Sequence, residues 1–208
     1  MRHGSLVALA AALVVGCAPA TLTYYKPVGP GSYFQSGCGG ADNFLGFTAG
    51  EGLGVMIFTG LPAGREMPAD QLDTVSISFR LGEGHSLRIP DPVFQVIAAD
   101  AKEGVPITVK GMNRADFVRI SDKRWDRRVS TFPANGRLEG GLLPESFRSA
   151  LYVDFQNWRG YALTLPVARR GGKNFSIKFP RVLLDDRPID IPDIRVEYGT
   201  YVHVTTAC

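Results

Sequence analysis

The chain has 208 residues, and its 45% hydrophobic and 21% charged residues are typical of a folded globular protein rather than a disordered one. Its 23 basic and 20 acidic residues give a formal net charge of +3, which is too small to indicate a nucleic-acid-binding protein. Glycine and proline contribute 24 and 14 residues, a high share that predicts many turns and therefore many short strands.

The N-terminal segment has a basic start followed by an uninterrupted apolar run over residues 6–15. A run of about ten residues is too short to span a bilayer, which takes roughly 20, and is typical of a secretory signal peptide. It ends in Val14-Val15-Gly16-Cys17, which resembles the bacterial lipobox, where a small residue directly precedes an obligatory cysteine. The resemblance implies that residues 1–16 are a lipoprotein signal peptide and that Cys17 is acylated. An ordinary signal peptide, cleaved a few residues later, is the alternative.

Acylation of Cys17 with palmitate-type chains implies lasting attachment to a lipid bilayer, because each buried methylene contributes about 0.8 kcal/mol. In lipoproteins an aspartate directly after the cysteine tends to retain the protein at the inner membrane, and here that position is Ala18. We therefore expect a bacterial outer-membrane location facing the periplasm. Loss of Arg2 with the signal peptide leaves 23 − 1 = 22 basic residues against 20 acidic ones, so the mature protein is nearly neutral.

Two further cysteines remain, Cys38 and Cys208. In an exported protein such a pair predicts a disulfide bond, which would connect the start of the domain to its last strand. Two free thiols are the alternative. Neither cysteine has a nearby histidine or second cysteine in the sequence, so the spacing indicates neither a metal site nor a redox motif.

Residues 17–36 are rich in proline and glycine and are interpreted as a lipidated tether, part of which packs onto the domain through its aromatic residues. Residues 37–208 are interpreted as one domain. Its clearest element is 74–80, TVSISFR, where apolar and polar residues alternate as in a half-buried strand. The predicted strands are 52–59, 74–80, 87–89, 93–97, 105–110, 152–155, 161–167, 174–179 and 194–206.

No amphipathic helix of useful length follows the signal peptide; residues 143–151 favour at most one helical turn. Nine to eleven short strands separated by turns predict an all-β fold, an antiparallel β-sandwich of Ig-like or jelly-roll-like type. The phrase Ile-Pro-Asp follows a strand and a polar loop twice, at 89–91 and at 191–193. Either two similar hairpins or chance similarity in a β-rich sequence explains this.

Residues 113–144 lack clear periodicity and are interpreted as long loops that contain a basic segment, residues 114–128, with a net charge of +3. Arginine binds phosphate groups bidentately, as in anionic lipid head groups, and tryptophan offers a stacking face. The segment is therefore a candidate contact for an anionic surface or other ligand, with a solvated loop of mutually paired charges as the alternative. The candidate contact residues are Arg119, Arg124, Trp125, Arg127 and Arg128.

Catalytic patterns are weak. His85 and His203 are far apart in the sequence, no G-x-S-x-G nucleophile motif is present, and Asp185-Asp186 is typical of a turn between strands. Nearby Asp190 and Asp193 lack the regular spacing of a calcium loop. We therefore expect no enzymatic activity, no metal and no cofactor.

Two functions remain open. The first is a membrane-anchored envelope lipoprotein that binds a protein or another envelope component through its β domain. The second is a carbohydrate- or peptidoglycan-binding module that uses the aromatic residues and the basic segment to hold cell-wall glycan. Nucleic acid is not an expected partner of an exported protein.

Overall fold

The structure is a computed structural model, and it describes residues 20–33, 43–59, 73–121, 124–145, 154–167 and 174–203. Within these ranges the chain forms antiparallel β-strands and a short 3-10 turn at Asp154–Asn157. The strands, in chain order, are β1 (Ala20–Val28), β2 (Ser32–Tyr33), β3 (Phe44–Thr48), β4 (Leu53–Phe58), β5 (Asp73–Leu81), β6 (Ser86–Arg88), β7 (Val93–Ala98), β8 (Val105–Thr108), β9 (Gly111–Ser121), β10 (Arg124–Pro133), β11 (Leu138–Glu139), β12 (Arg159–Val167), β13 (Phe175–Lys178), β14 (Val182–Leu184), β15 (Arg187–Ile189) and β16 (Ile194–His203).

The strands are arranged in three sheets. A five-stranded sheet has the order β1-β16-β13-β7-β8, a seven-stranded sheet has the order β10-β9-β12-β5-β4-β3-β2, and a four-stranded sheet has the order β11-β6-β14-β15. Neighbours in these orders are often distant in sequence, so most of the pairing is fixed by tertiary structure rather than by simple hairpins.

One hydrophobic core receives side chains from all three sheets. Ile57, Ile77 and Leu163 lie side by side on β4, β5 and β12 and are 0%, 0% and 3% exposed. The small sheet adds Leu87 and Leu138, which are 0% and 1% exposed. The prediction of an all-β antiparallel fold is confirmed, and three sheets around one core are compatible with a β-sandwich.

The alternation predicted for 74–80 is confirmed, because Val75, Ile77 and Phe79 are buried while Thr74 faces solvent. The two Ile-Pro-Asp phrases have equivalent positions. Residues 89–91 connect β6 of the small sheet to β7 of the five-stranded sheet, and residues 191–193 connect β15 to β16 in the same way.

Three sequence-based assignments differ from the structure. Residues 20–28 and 32–33, placed in the tether, form β1, which pairs with β16 from Arg195 to His203, and β2, which pairs with β3. Residues 154–155, predicted as the end of a strand, belong to the 3-10 turn. The prediction of long loops over 113–144 is wrong for residues 113–133, which form most of β9 and β10. These two strands carry polar residues on both faces over much of their length, so they lack the apolar alternation that reveals a half-buried strand.

The register of β9 shows that this strand projects beyond the sheet at one end of the molecule. This strand is antiparallel to β12 and pairs with it at Asn113 and Ala162, so the rest of β9 runs toward Arg159 and past it. Among the described residues, the outer parts of β9 and β10 therefore pair only with each other. We call this two-stranded projection, residues 114–121 and 124–130, the ribbon.

The start of β1 lies at the opposite end. Thr59 follows β4 on the side away from the ribbon, and its hydroxyl donates a hydrogen bond to the carbonyl of Tyr25. Residues 20–24 continue past the position of Thr59, away from the ribbon. Among the described residues they pair only with the last part of β16. At about 3.3 Å per strand residue, the strand path from the start of β1 to the tip of the ribbon measures up to about 50 Å.

Candidate functional sites at the ribbon end

The base of the ribbon is fixed by Arg114. Its guanidinium carbon lies 4.6 Å from the centre of the Phe132 ring, and the group donates hydrogen bonds to the Asp116 carboxylate and the Tyr161 hydroxyl. Tyr161 is 1% exposed and donates its own proton to the Glu139 carbonyl at 2.7 Å. Burial lowers the pKa of Arg114, but the hydrogen bonds with Asp116 and Tyr161 raise the pKa overall. Arg114 is therefore a permanent cation that connects the ribbon to the core.

Four charged residues share one face of the ribbon because side chains alternate along a strand. On this face Arg114 and Asp116 approach to 2.8 Å, and Arg128 Nε lies 3.7 Å from a carboxylate oxygen of Asp126. Arg128 and Asp126 are both at least half exposed, so water screens their attraction and the pair contributes little to stability. Opposite charges on this face are thus largely matched.

The other face carries the positive excess. Strand alternation places Arg119, Arg127 and Val129 there, and all three are exposed. Within the described residues, no ion pair joins Arg127 to a carboxylate. This face combines exposed cations with an exposed β-branched side chain, a combination suited to contact with a partner of opposite charge.

The structure places the five predicted contact residues on the ribbon but not on one face of it, since Arg128 shares a face with Asp126 while Arg119 and Arg127 lie on the other. Arg119, Arg127 and Arg128 are exposed there. Arg124 and Trp125 lie at the start of β10, where the register shifts, and the backbone places Trp125 opposite Arg119. The side chains of Arg124 and Trp125 lie outside the described part of the structure. The sequence identified these residues as a basic segment, but only the hairpin register places them at the tip of a projection.

A second cluster lies where the chain turns between β14 and β15. Nδ1 of His85 and Oδ2 of Asp185 are 2.8 Å apart, although 100 positions separate the two residues. The other carboxylate oxygen accepts a hydrogen bond from the backbone N–H of Ser86 at 2.8 Å. The hydrogen bond with His85, followed by that from Ser86, lowers the pKa of Asp185. A methyl group at Gly52 would overlap the His85 ring, so the ring packs directly on this glycine.

The turn predicted at Asp185-Asp186 is confirmed. Both residues have positive φ angles, 51° and 61°, as a two-residue type I′ hairpin requires. Asp186 accepts a hydrogen bond from Arg137 at 2.9 Å, and Arg137 also donates to Glu139 at 3.0 Å. The cluster thus connects the β14–β15 turn to the segments around β6 and β11. Sequence reasoning missed the His85–Asp185 pair because nothing in the local sequence relates these positions.

A histidine–aspartate pair also occurs in catalytic triads, where the far ring nitrogen faces a nucleophile. Among the described residues, the hydrogen bond of the His85 ring is the one to Asp185. In the same part of the chain, no group of three or more His, Cys, Asp or Glu side chains is placed to hold a metal ion. The contacts of the pair fix the turn between β14 and β15.

Several predicted features lie outside the described residues: the signal peptide, the acylation site Cys17, and both cysteines of the predicted disulfide, Cys38 and Cys208. The side chain of His203 is outside them as well. In the described ranges, no helix has the length and apolar character needed to cross a membrane.

Comparison with known proteins returned no relative. No protein-family model matches the chain, and it matches neither a curated protein nor a solved structure.

Proposed function

We propose that this protein is a bacterial envelope lipoprotein, acylated at Cys17 and attached to the outer membrane on its periplasmic side, whose β domain binds another envelope component without catalysing a reaction. The lipobox-like Val14-Val15-Gly16-Cys17 is the observation on which the proposal rests. A disulfide bond between Cys38 and Cys208 belongs to the same proposal, since it fits an oxidising compartment.

The position of β1 supports a close attachment. This strand begins at Ala20, three residues after Cys17. Three extended residues reach at most about 11 Å, so an acyl chain at Cys17 would hold the sheet almost against the lipid surface. A flexible spacer of some twenty residues, as the proline and glycine content suggested, would instead have let the domain move freely.

The arrangement at the ribbon end supports binding rather than catalysis. His85 and Asp185 fix a turn, and Ser86 donates both its backbone N–H and its hydroxyl to the Asp185 carboxylate. The exposed arginines Arg119, Arg127 and Arg128 lie on the ribbon, at the opposite end from the proposed attachment point. A protein held at one end and charged at the other is suited to reach a partner away from its own membrane.

Metabolic labelling with a clickable palmitate analogue tests the anchor. We expect the wild-type protein to incorporate the label and to fractionate with membranes, and Cys17→Ser to lose both properties because the thioether cannot form. Cys38→Ser and Cys208→Ser are matched controls, since each removes another thiol and should leave labelling unchanged. An unlabelled wild-type protein, or a labelled Cys17→Ser variant, would exclude acylation at this position.

A further inference from the structure

The outer edge of β10 is the longest free strand edge in the described residues. β10 has ten residues and pairs only with β9, whereas the edge strands β8 and β15 have four and three. β1 has nine residues, but its Tyr25 carbonyl already accepts a hydrogen bond from Thr59 and Pro27 is inside the strand, whereas the proline of β10, Pro133, is its last residue. An unpaired edge presents alternating N–H and C=O groups that can pair with another strand.

An exposed apolar side chain lies beside this edge. Val129 on β10 is the most exposed large hydrophobic residue of the described chain, at 57%. Val129 stands opposite Ala115, so no large neighbour covers it across the ribbon. β-branched side chains favour an extended partner, because they pack well against the alternating side chains of a neighbouring strand.

The charge beside the edge selects among partners. Arg127 and Arg128 are consecutive residues of β10, and the whole segment 114–128 has a net charge of +3. A second copy of the chain pairing along β10 would bring together two strands with three arginines and one aspartate each, a net charge of 3 − 1 = +2 per strand, which disfavours self-association. A strand rich in glutamate or aspartate would instead place carboxylates beside guanidinium groups, which bind them bidentately.

The position of the ribbon argues against the anchoring bilayer, with its anionic lipids, as the partner of the ribbon arginines. If Cys17 is acylated, as proposed above, the bilayer lies at the start of β1. The strand path from that point to the ribbon tip measures up to about 50 Å, against a screening length of about 8 Å at physiological salt. The ribbon arginines therefore lie at the end of the domain away from the proposed attachment point.

We infer that the outer edge of β10 binds an extended acidic segment of a partner protein by strand addition. Backbone hydrogen bonds to the free edge provide the affinity, and the arginine side chains provide the preference for acidic sequences. This inference rests on the proposed binding function. It specifies the partner as an acidic peptide rather than a glycan.

Binding can be measured with the full chain in detergent solution and a fluorescent, end-blocked peptide of alternating valine and glutamate, equal in length to β10. We expect saturable binding by fluorescence anisotropy, weakened by salt, with slowed amide exchange in β10 on binding. Arg127→Glu should weaken binding roughly tenfold, while Arg127→Lys should retain most of it. Arg187→Glu is the matched control, because it reverses the same charge on β15, another exposed edge strand, and should change nothing.

A second peptide, with N-methyl groups on all of its backbone amides, keeps the side-chain charge but can donate no backbone hydrogen bond along either of its edges. We expect it to bind at least tenfold more weakly. Equal binding of both peptides, equal loss with Arg187→Glu, or binding to purified peptidoglycan sacculi without binding to the peptide would each overturn the inference. The measurement is made in solution, so it fails or succeeds independently of acyl labelling at Cys17.

Discussion

The seven-stranded sheet contains two regions with the same antiparallel pairing but different support. At its centre, the row Ile57, Ile77 and Leu163 is almost completely buried. In the ribbon, Val129 and Ala115 are paired in the same way, yet Val129 is 57% exposed. The centre is held by burial of its side chains, whereas the ribbon is held by its base and by backbone pairing. A strand pair that is not needed for the core is free to carry residues selected for binding.

The comparison is tested most strongly at the centre of the sheet. Ile77→Ala removes a fully buried side chain and should lower the free energy of unfolding by about 2–5 kcal/mol. Urea or guanidinium denaturation followed by circular dichroism measures this loss. Ser78→Ala, at the next position on the outward face, should change stability by less than about 0.5 kcal/mol. Equal effects at the two positions would mean that burial does not distinguish the faces of β5.

The turn beside the ribbon should show an intermediate effect that depends on pH. The hydrogen bonds from His85 and Ser86 lower the folded-state pKa of Asp185, so the ionised carboxylate stabilises the fold at pH values above its unfolded pKa of about 3.9. This contribution is lost as the pH falls through the lowered folded pKa.

Asp185→Asn should therefore destabilise the protein at neutral pH, by no more than about 1 kcal/mol because the side chain is 43% exposed. The difference from wild type should shrink below about pH 4. Thermal unfolding at several pH values measures it, with Asp193→Asn as a control that removes the same charge at an exposed position. A difference that stays constant down to strongly acidic pH would show that the carboxylate charge is not what stabilises the turn.

The smallest effect on stability is expected in the ribbon. Val129→Ala should change the free energy of unfolding by less than about 0.5 kcal/mol, because the valine is already mostly exposed. The measurement is the same denaturant titration as for Ile77→Ala. A loss above 1 kcal/mol would show that the ribbon packs against another part of the chain and is not a free projection.

Sequence patterns succeeded where one physical cause dominated. Strand 74–80 was recognisable because burial of one face forces apolar residues to alternate with polar ones, and the Asp185-Asp186 turn because few residues accept a positive φ angle. They failed for β9 and β10, where neither face of the outer half is buried. They also failed for the His85–Asp185 pair, because its partners meet only after two different turns have been brought together.

The all-β character, the many turns and the basic nature of residues 114–128 were determined by the sequence itself, since each depends on local composition or on the period of a single strand. The tertiary structure alone decided which strands are neighbours, that residues 20–28 belong to a sheet, and that the basic residues form a projecting ribbon with a free edge. The reason is that pairing between distant strands is set by how three sheets cover one common core, and no local pattern carries that information.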